Sequence, residues 1–342
     1  MKLIMKSACY LILSLFIAEP LLAQEELNVY SARKEALIKP LLDQFAQVNN
    51  VKVNLITSKA DALIQRLISE GKNTPADVLI TVDAGRLYRA KQADLFQPID
   101  VKKFSQFAPA EFLDPEGYWF GLSVRARTIV YNPHKMNDKL PDSYESLTEP
   151  DWKNKICIRS SNNIYNQSLV AALIAHHGVE ATQTWANNFV KNFARKPQGG
   201  DRDQIKAVAA GLCDIALVNT YYLGQMIAGS DEEQDAAAKV RVLWPNQKPP
   251  HSQGVHVNVS GIGVIKFSER TDLAAKLIEF LYTDEAQAWY GNANFEYPVR
   301  KSIAVSNTLK SWGEFKADNI NLDQLGILNG EAVRVMDRAG WR

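Results

Sequence analysis

Residues 119–132 read WFGLSVRARTIVYN, and this stretch decides the fold. It is long, rich in β-branched and aromatic residues, and predicts an extended strand. A second stretch of the same kind, residues 255–267 (VHVNVSGIGVIKF), lies far downstream in the chain. Each stretch separates regions in which shorter strands alternate with helices. We therefore predict two lobes joined by two extended crossings, which form a hinge and leave a ligand-binding cleft between the lobes.

The shorter elements on either side of the first crossing alternate between the strand period and the helix period. Before it, strands are predicted at 27–30, 51–56 and 76–82, and helices at 37–48, 60–70 and 86–93. After it, the pattern predicts strands at 155–158 and 214–218, helices at 167–177 and 223–228, and a polar, acidic loop at 230–239. Residues 273–342 are mostly helical. This rhythm predicts an α/β fold with a largely parallel sheet covered by helices on both faces.

The first 23 residues have the pattern of a secretory signal peptide. Lys2 and Lys6 supply a positive start, residues 8–18 an apolar run, and Ala23 a small residue at the cut. Cleavage removes Lys2, Lys6 and Glu19, so the net charge changes from +1 to 0. A neutral chain argues against nucleic acid and anionic membrane surfaces as partners. We expect a periplasmic monomer, with no membrane insertion of the mature chain.

The mature chain keeps two cysteines, Cys157 and Cys213. An even number of cysteines in an exported protein predicts one disulfide. The alternative is a pair of buried free thiols. A bond would tie the strand before residues 160–165 to the strand that leads to Tyr221.

Polar side chains collect just after the predicted strands. They are Arg33 and Asp83 in the first lobe, and Tyr165, Tyr221 and Tyr222 in the second. Because ligands of open α/β sheets bind beyond the carboxyl ends of the strands, we expect these side chains to face the cleft.

The tyrosine pair suits a hard metal ion. A helix is expected to begin directly after the pair, capped by Asn219 or Thr220, and the positive potential of its N-terminus favours a phenolate. A phenol ionises at neutral pH only beside a strong cation, and Fe³⁺ is a hard ion that favours phenolate oxygen. The alternative is that Tyr221 and Tyr222 pack as ordinary aromatic side chains.

Two arginines of the first crossing can face a ligand together. Arg125 and Arg127 lie two residues apart, so their side chains share one face of an extended strand. A planar guanidinium suits bidentate binding of carbonate, and Arg33 offers a third such group. The alternative for each is a structural salt bridge at the hinge. His176 and His177 fall at the end of a predicted helix, where the helix dipole favours histidine, so no metal site is predicted there.

Four segments resemble periplasmic ferric-iron-binding proteins of ABC importers, the bacterial transferrin family. They are GDRDQIKAVAAGLCDIALVNTYYLG at 200–224, which is the most specific, VYSAR at 29–33, DVLITVDAGRL at 77–87 and RARTIVYN at 125–132. The resemblance implies a type II periplasmic binding-protein fold, with two α/β lobes on a two-strand hinge. We place residues 24–122 plus 250–299 in the first lobe and residues 123–249 plus 300–342 in the second. The resemblance also implies that captured Fe³⁺ is delivered to an ABC-importer permease in the inner membrane.

The resemblance also implies roles for individual residues of the site. Tyr221 and Tyr222 match paired iron-binding tyrosines, and Tyr165 matches a third ligand of the tyrosine-rich subgroup. A small anion, often carbonate, completes the coordination in such proteins. Arg33 and Arg127 occupy the positions expected to hold this anion.

This chain departs from the family pattern in the first lobe. Several relatives carry His or His-Tyr directly after the SAR segment, whereas this chain has Lys34 and Glu35. The usual imidazole ligand is therefore missing. We expect the anion and water, or Asp83, to take its place. Tyr30 is a more distant candidate, because its place in a strand favours core packing.

Two other functions remain as alternatives. The first is a protein of the same fold that binds another solute, such as a polyamine, a thiamine-like cation or an oxyanion. A polyamine site would need several carboxylates and aromatic walls in the cleft. An oxyanion site would need hydroxyls and arginine without a group of phenolates. A secreted hydrolase would use Asp83 or Asp201 as acid or base, with a paired carboxylate or an activated nucleophile. The sequence contains no H-E-x-x-H, G-x-S-x-G, P-loop or G-x-G-x-x-G motif, so we expect a binding protein and not an enzyme.

Overall fold

The computed structural model describes residues 24–136 and 139–342, and the predicted signal peptide lies outside the described residues. The strands are β1 (Glu26–Ser31), β2 (Lys52–Thr57), β3 (Val78–Val82), β4 (Phe96–Gln97), β5 (Phe120–Tyr131), β6 (Ile156–Cys157), β7 (Ile215–Asn219), β8 (Arg241–Leu243), β9 (Val257–Ile265) and β10 (Tyr297–Pro298). The α-helices are α1 (Glu35–Asn49), α2 (Ala60–Glu70), α3 (Ala84–Gln92), α4 (Ile164–His177), α5 (Val179–Phe189), α6 (Asp201–Ala209), α7 (Thr220–Ile227), α8 (Asp231–Ala238), α9 (Thr271–Leu281), α10 (Asp284–Ala293), α11 (Asn307–Ser311), α12 (Asp323–Ile327) and α13 (Asn329–Arg338). None of these described helices is both long and apolar enough to cross a membrane.

One sheet runs through the molecule in the strand order β2-β1-β3-β9-β5-β7-β6. Strand β5 is long enough to pair with two neighbouring strands, one after the other. Its residues 120–126 pair antiparallel with β9, and its residues 127–131 pair antiparallel with β7. We call residues 120–126 and the strands on the β9 side, with β4 and β10, the first half of the sheet. Residues 127–131 and the strands on the β7 side, with β8, form the second half.

The second extended stretch becomes β9, which stays in the first half of the sheet. It pairs with β3 and β5 and is buried at every residue. Just before β9, the backbone N–H of Arg127 donates to the carbonyl of His256 at 3.0 Å. Both extended stretches therefore pass between the two halves at Arg127 and His256.

Parallel pairing aligns the strand ends that lead to the predicted ligands. β6 and β7 pair parallel, with Cys157 opposite Ala216. Because α4 follows β6 and α7 follows β7, the N-termini of these helices lie at the same edge of the sheet. In the first half, β1 pairs parallel with both β2 and β3.

One local prediction is wrong, because residues 231–238 form helix α8 and not a loop. Asp231, Glu232 and Glu233 fill the first turn of this helix, where the helix dipole favours negative charge. The alanines that follow have the highest helix propensity. Local propensity therefore outweighs the polar character on which the loop prediction rested.

The predicted disulfide between Cys157 and Cys213 is confirmed, with Cα atoms 5.8 Å apart. Cys157 ends β6, and Cys213 lies two residues before β7. Both side chains are buried in a small core of the second half. The bond therefore ties together the strands that lead to α4 and α7.

We expect the double variant C157A/C213A to lose about 4 kcal/mol of unfolding free energy, because the bond closes a loop of 56 residues in the unfolded chain. Urea unfolding followed by circular dichroism measures the loss. The matched control is the parent protein under reducing conditions, which should fall to the same value. A loss below about 1 kcal/mol would contradict a stabilising role of the bond.

Candidate functional site

Three tyrosines meet in the first turns of α4 and α7. Tyr165 is the second residue of α4, and Tyr221 and Tyr222 are the second and third residues of α7. The Tyr221 hydroxyl donates to the Tyr165 hydroxyl at 3.1 Å. The ring centroids of Tyr221 and Tyr222 lie 4.3 Å apart. We call these three side chains the phenol cluster, and it lies at one edge of the second half of the sheet.

Both helices begin three residues earlier than predicted. At α4, the side-chain oxygen of Asn163 accepts a hydrogen bond from the N–H of Tyr165 at 3.2 Å and caps the helix. At α7, Asn219 holds the N-cap position, but its side-chain oxygen accepts from the guanidinium of Arg127 at 3.1 Å. The phenol cluster therefore lies within the first helical turns, where the free N–H groups create a positive potential.

The phenol cluster lies in a largely buried environment, with Tyr221 only 7% exposed. Burial, followed by the charges that Tyr165 and Tyr222 would carry, raises the pKa of Tyr221 well above its ordinary value, and Arg125 offsets only part of this. Burial, followed by the charges of Tyr165 and Asp201, raises the pKa of Tyr222 as well. Both phenols therefore keep their protons at neutral pH until a cation displaces them.

Arg125 is the predicted arginine whose guanidinium faces the phenol cluster. Its central carbon lies 5.3 Å from the ring centroid of Tyr165 and 5.8 Å from that of Tyr221. The side chain is buried, and one N–H donates to the carbonyl of Val259 at 3.1 Å. A buried cation at this distance favours an ionised phenol or a bound anion.

Arg127 binds protein groups that position the phenol cluster. Its guanidinium donates to the side-chain oxygens of Asn219 and Asn166 and lies 3.5 Å from the Asp201 carboxylate. Asn166 follows Tyr165 in α4, and Asn219 directly precedes α7. One buried cation thus holds both helices of the cluster. This geometry matches the structural salt bridge at the hinge that the sequence left as the alternative.

Arg33 lies just after β1 of the first half, in a buried ion pair with Glu296. Its Nη2 atom is 2.5 Å from Glu296 Oε2 and 2.8 Å from the Ser123 hydroxyl. Burial raises the pKa of Glu296, but Arg33 and Arg125 outweigh it and hold this pKa below its ordinary value. Glu296 is therefore a carboxylate whose charge acts on both arginines.

The two remaining first-lobe candidates have different surroundings. One oxygen of Asp83 accepts from the Gly85 N–H at 3.0 Å and from the Ser168 hydroxyl, on α4, at 2.8 Å. The other oxygen is buried and has no hydrogen-bond partner in the described ranges. Tyr30 instead donates to the Glu70 carboxylate at 3.1 Å and packs in the core of the first half.

Two charged residues near the cluster escaped the sequence analysis. Glu296 pairs with Arg33 across 263 residues, and no local pattern indicates such a pairing. The guanidinium carbon of Arg159 lies 5.5 Å from the Tyr165 ring centroid, and its Nη1 atom lies 3.3 Å from Asp201. The available signal for Arg159 is its position directly after the predicted strand at 155–158.

Comparison with known proteins gives the family. The profile of the bacterial extracellular solute-binding protein family matches residues 73–321. The chain belongs to this family. It is 45% identical to iron uptake protein A1 of Synechocystis sp. over 320 residues, which covers 93% of this chain and 88% of that protein.

Solved structures of similar proteins share the fold of this solute-binding protein. Trichodesmium IdiA (FutA), in complex with iron and citrate ligands, has a TM-score of 0.89 and 46% identity, covering 93% of this chain and 100% of that one. Mannheimia haemolytica ferric iron-binding protein A, in an open conformation, has a TM-score of 0.86 and 39% identity, covering 93% and 99%. The predicted two-lobed α/β fold and the resemblance to ferric-iron-binding proteins are thereby confirmed.

We expect R127M to lose about 3–5 kcal/mol of unfolding free energy, because it leaves the Asp201 carboxylate buried with fewer charge partners. Chemical denaturation measures this loss. The control is R334M, which removes a surface ion pair with Glu331 and should leave the stability close to that of the parent. Equal stability of the two variants would contradict a positioning role of Arg127.

Proposed function

We propose that this protein captures Fe³⁺ in the cleft between its lobes and delivers it to an ABC-importer permease. The main support is the phenol cluster, in which the Tyr221 and Tyr165 hydroxyls lie 3.1 Å apart beside the buried Arg125. Phenolate oxygen is a hard ligand, and a trivalent ion supplies the charge needed to displace protons from phenols whose pKa is raised. The names of the relatives, iron uptake and ferric iron binding, point the same way.

In this proposal a small anion such as carbonate shares the coordination. Three phenolates balance the charge of Fe³⁺. A bidentate anion and either water or the second, buried oxygen of Asp83 complete its shell. Arg125 faces the cluster, and Arg33 lies beside the Glu296 that also acts on Arg125. Arg125 is therefore better placed for the anion than Arg33 or Arg127, because buried carboxylates already pair with those two arginines. The Trichodesmium structure contains citrate with iron, which supports an anion as co-ligand.

The cleft is proposed to close by movement of the two lobes about the strands that pass Arg127 and His256. The open conformation of the Mannheimia haemolytica protein supports such a movement. The lobe boundaries, the periplasmic location after signal-peptide cleavage and the monomeric state stay predictions.

Asp201 is better explained as a structural carboxylate than as an acid or base of a hydrolase. Its oxygens lie 3.5 Å from Arg127 and 3.3 Å from Arg159, and one accepts from the N–H of Asn219 at 2.8 Å. The relatives that define the family are binding proteins, which supports a binding function for this chain.

We expect each of Y165F, Y221F and Y222F to weaken Fe³⁺ binding by about 100-fold or more, since even partners of metal ligands contribute 10–100-fold to affinity. Each change removes one ligand oxygen and keeps the ring. Titration with ferric citrate, followed by the visible phenolate-to-iron band, measures affinity. The matched control Y131F lies on β5, outside the cluster, and should bind like the parent. Parental affinity and an unchanged band in any cluster variant would refute that residue as a ligand.

Fe³⁺ affinity should fall as the pH is lowered from about 8 to about 5. Because the pKa of Tyr221 and of Tyr222 lies above the ordinary phenol value of about 10, both phenols are protonated throughout this range. Binding must therefore release protons, and acid favours the iron-free form. Proton release measured by titration in weakly buffered solution should accompany iron uptake. An affinity independent of pH would exclude phenolate coordination.

A further inference from the structure

The segment after α10 carries a side chain from the first half of the sheet onto helix α7. Strand β10, which directly follows this segment, pairs with β5 within residues 120–126. The side chain of Phe295 packs with Tyr221 and Leu309 in a small hydrophobic cluster. Phe295 therefore contacts a member of the phenol cluster from the opposite half of the sheet.

Gly224 shows how closely Phe295 approaches α7. A Cβ atom on Gly224 would meet Cγ and Cβ of Phe295 at distances shorter than real Cβ atoms show. Gly224 lies three residues after Tyr221, on the same face of the helix. Glycine lowers helix propensity inside a helix, so a close contact that only glycine permits explains its presence here.

The backbone around Phe295 is held firmly in the first half. Phe295 has a φ of 55°, in the left-handed region that a bulky residue rarely adopts. The N–H groups of Asn294 and Glu296 both donate to the carbonyl of Tyr290, at 3.2 and 3.1 Å. The Glu296 side chain is fixed by its ion pair with Arg33. Such a backbone conformation persists only where the surrounding structure enforces it.

We propose that Phe295 is a positioning residue that couples closure of the cleft to the placement of Tyr221 and Tyr222. Because Phe295 is anchored beside Arg33 and its ring rests on Gly224, α7 is held from the first half of the sheet in addition to the Arg127 hydrogen bonds that hold its N-terminus in the second half. Movement between the halves would separate Phe295 from α7 and release the Tyr221 ring. This inference rests on the proposed function, since it concerns how the same site holds Fe³⁺.

The experiment compares G224A, F295A and the double variant G224A/F295A with the parent protein. G224A adds a methyl group that collides with the Phe295 ring, and the double variant gives that methyl group the space that the ring leaves. G330A is the control for a glycine-to-alanine change in a helix, because a Cβ there meets only an Arg334 side-chain atom at 3.8 Å. F267A controls for loss of a phenylalanine, because Phe267 is exposed.

Fe³⁺ affinity and the energy of the visible band are measured by titration with ferric citrate. We expect G224A to bind about tenfold more weakly or worse, with a shifted band, because overpacking displaces the helix. F295A should also weaken binding, because α7 loses the contact with the ring. The double variant should bind like F295A, since the added methyl group then meets no ring, and both controls should match the parent. Parental affinity and band in G224A or in F295A, or a double variant that is weaker than F295A by the full G224A loss, would overturn the proposal.

A second measurement needs no metal, so that it separates this proposal from the proposed function. Hydrogen exchange of the α7 amides in the iron-free protein should be faster in G224A and F295A than in the parent, and slower in the double variant than in G224A. Unchanged exchange in both single variants would overturn the positioning role even if Fe³⁺ binds. Conversely, if the variants show the expected differences in exchange but the parent protein shows no ferric band, only the proposed function is refuted.

Discussion

The buried guanidinium of Arg127 is the interaction on which the site depends. It sits where β5 passes from one half of the sheet to the other, and its partners come from α4, α6 and the strand before α7. The side-chain oxygen of Asn219 accepts a hydrogen bond from Arg127 and not from an N–H group of the first turn of α7. The free N–H groups of that turn therefore remain near the phenols, where they favour negative charge. A single buried cation thus fixes both helices that carry the phenol cluster.

Both halves of the sheet supply ionisable side chains to the surroundings of the phenol cluster. The second half supplies phenols that burial keeps protonated, and the first half supplies Arg33 with its partner Glu296. Arg125 is buried, faces the phenol rings and interacts through its charge with Glu296. Since buried charges are costly unless they are paired, these groups of both signs are consistent with the proposed joint binding of a trivalent cation and a small anion.

The features of the fold that depend on neighbouring residues could be predicted from the sequence. Helix α2 has the predicted bounds, Ala60–Glu70, because its hydrophobic spacing is a property of neighbouring residues. The tyrosines were found because strand ends can be located from the alternation of strands and helices, and parallel pairing brings such ends together. Helix α8 was missed because its polarity suggested a loop, while the helix dipole and alanine content stabilise a helix.

The sequence by itself determined the α/β alternation, the disulfide partners and the position of the tyrosines, Arg33 and Asp83 after strand ends, since each follows from residue type and local spacing. Only the tertiary structure decided which arginine faces the phenols. Arg125 and Arg127 share a strand and differ by two positions, yet Arg127 meets Asp201 whereas Arg125 lies over the Tyr165 ring. The physical reason is that a guanidinium takes its role from the buried carboxylates and rings around it. Those partners, including Glu296 at 263 residues from Arg33, are brought together only by folding.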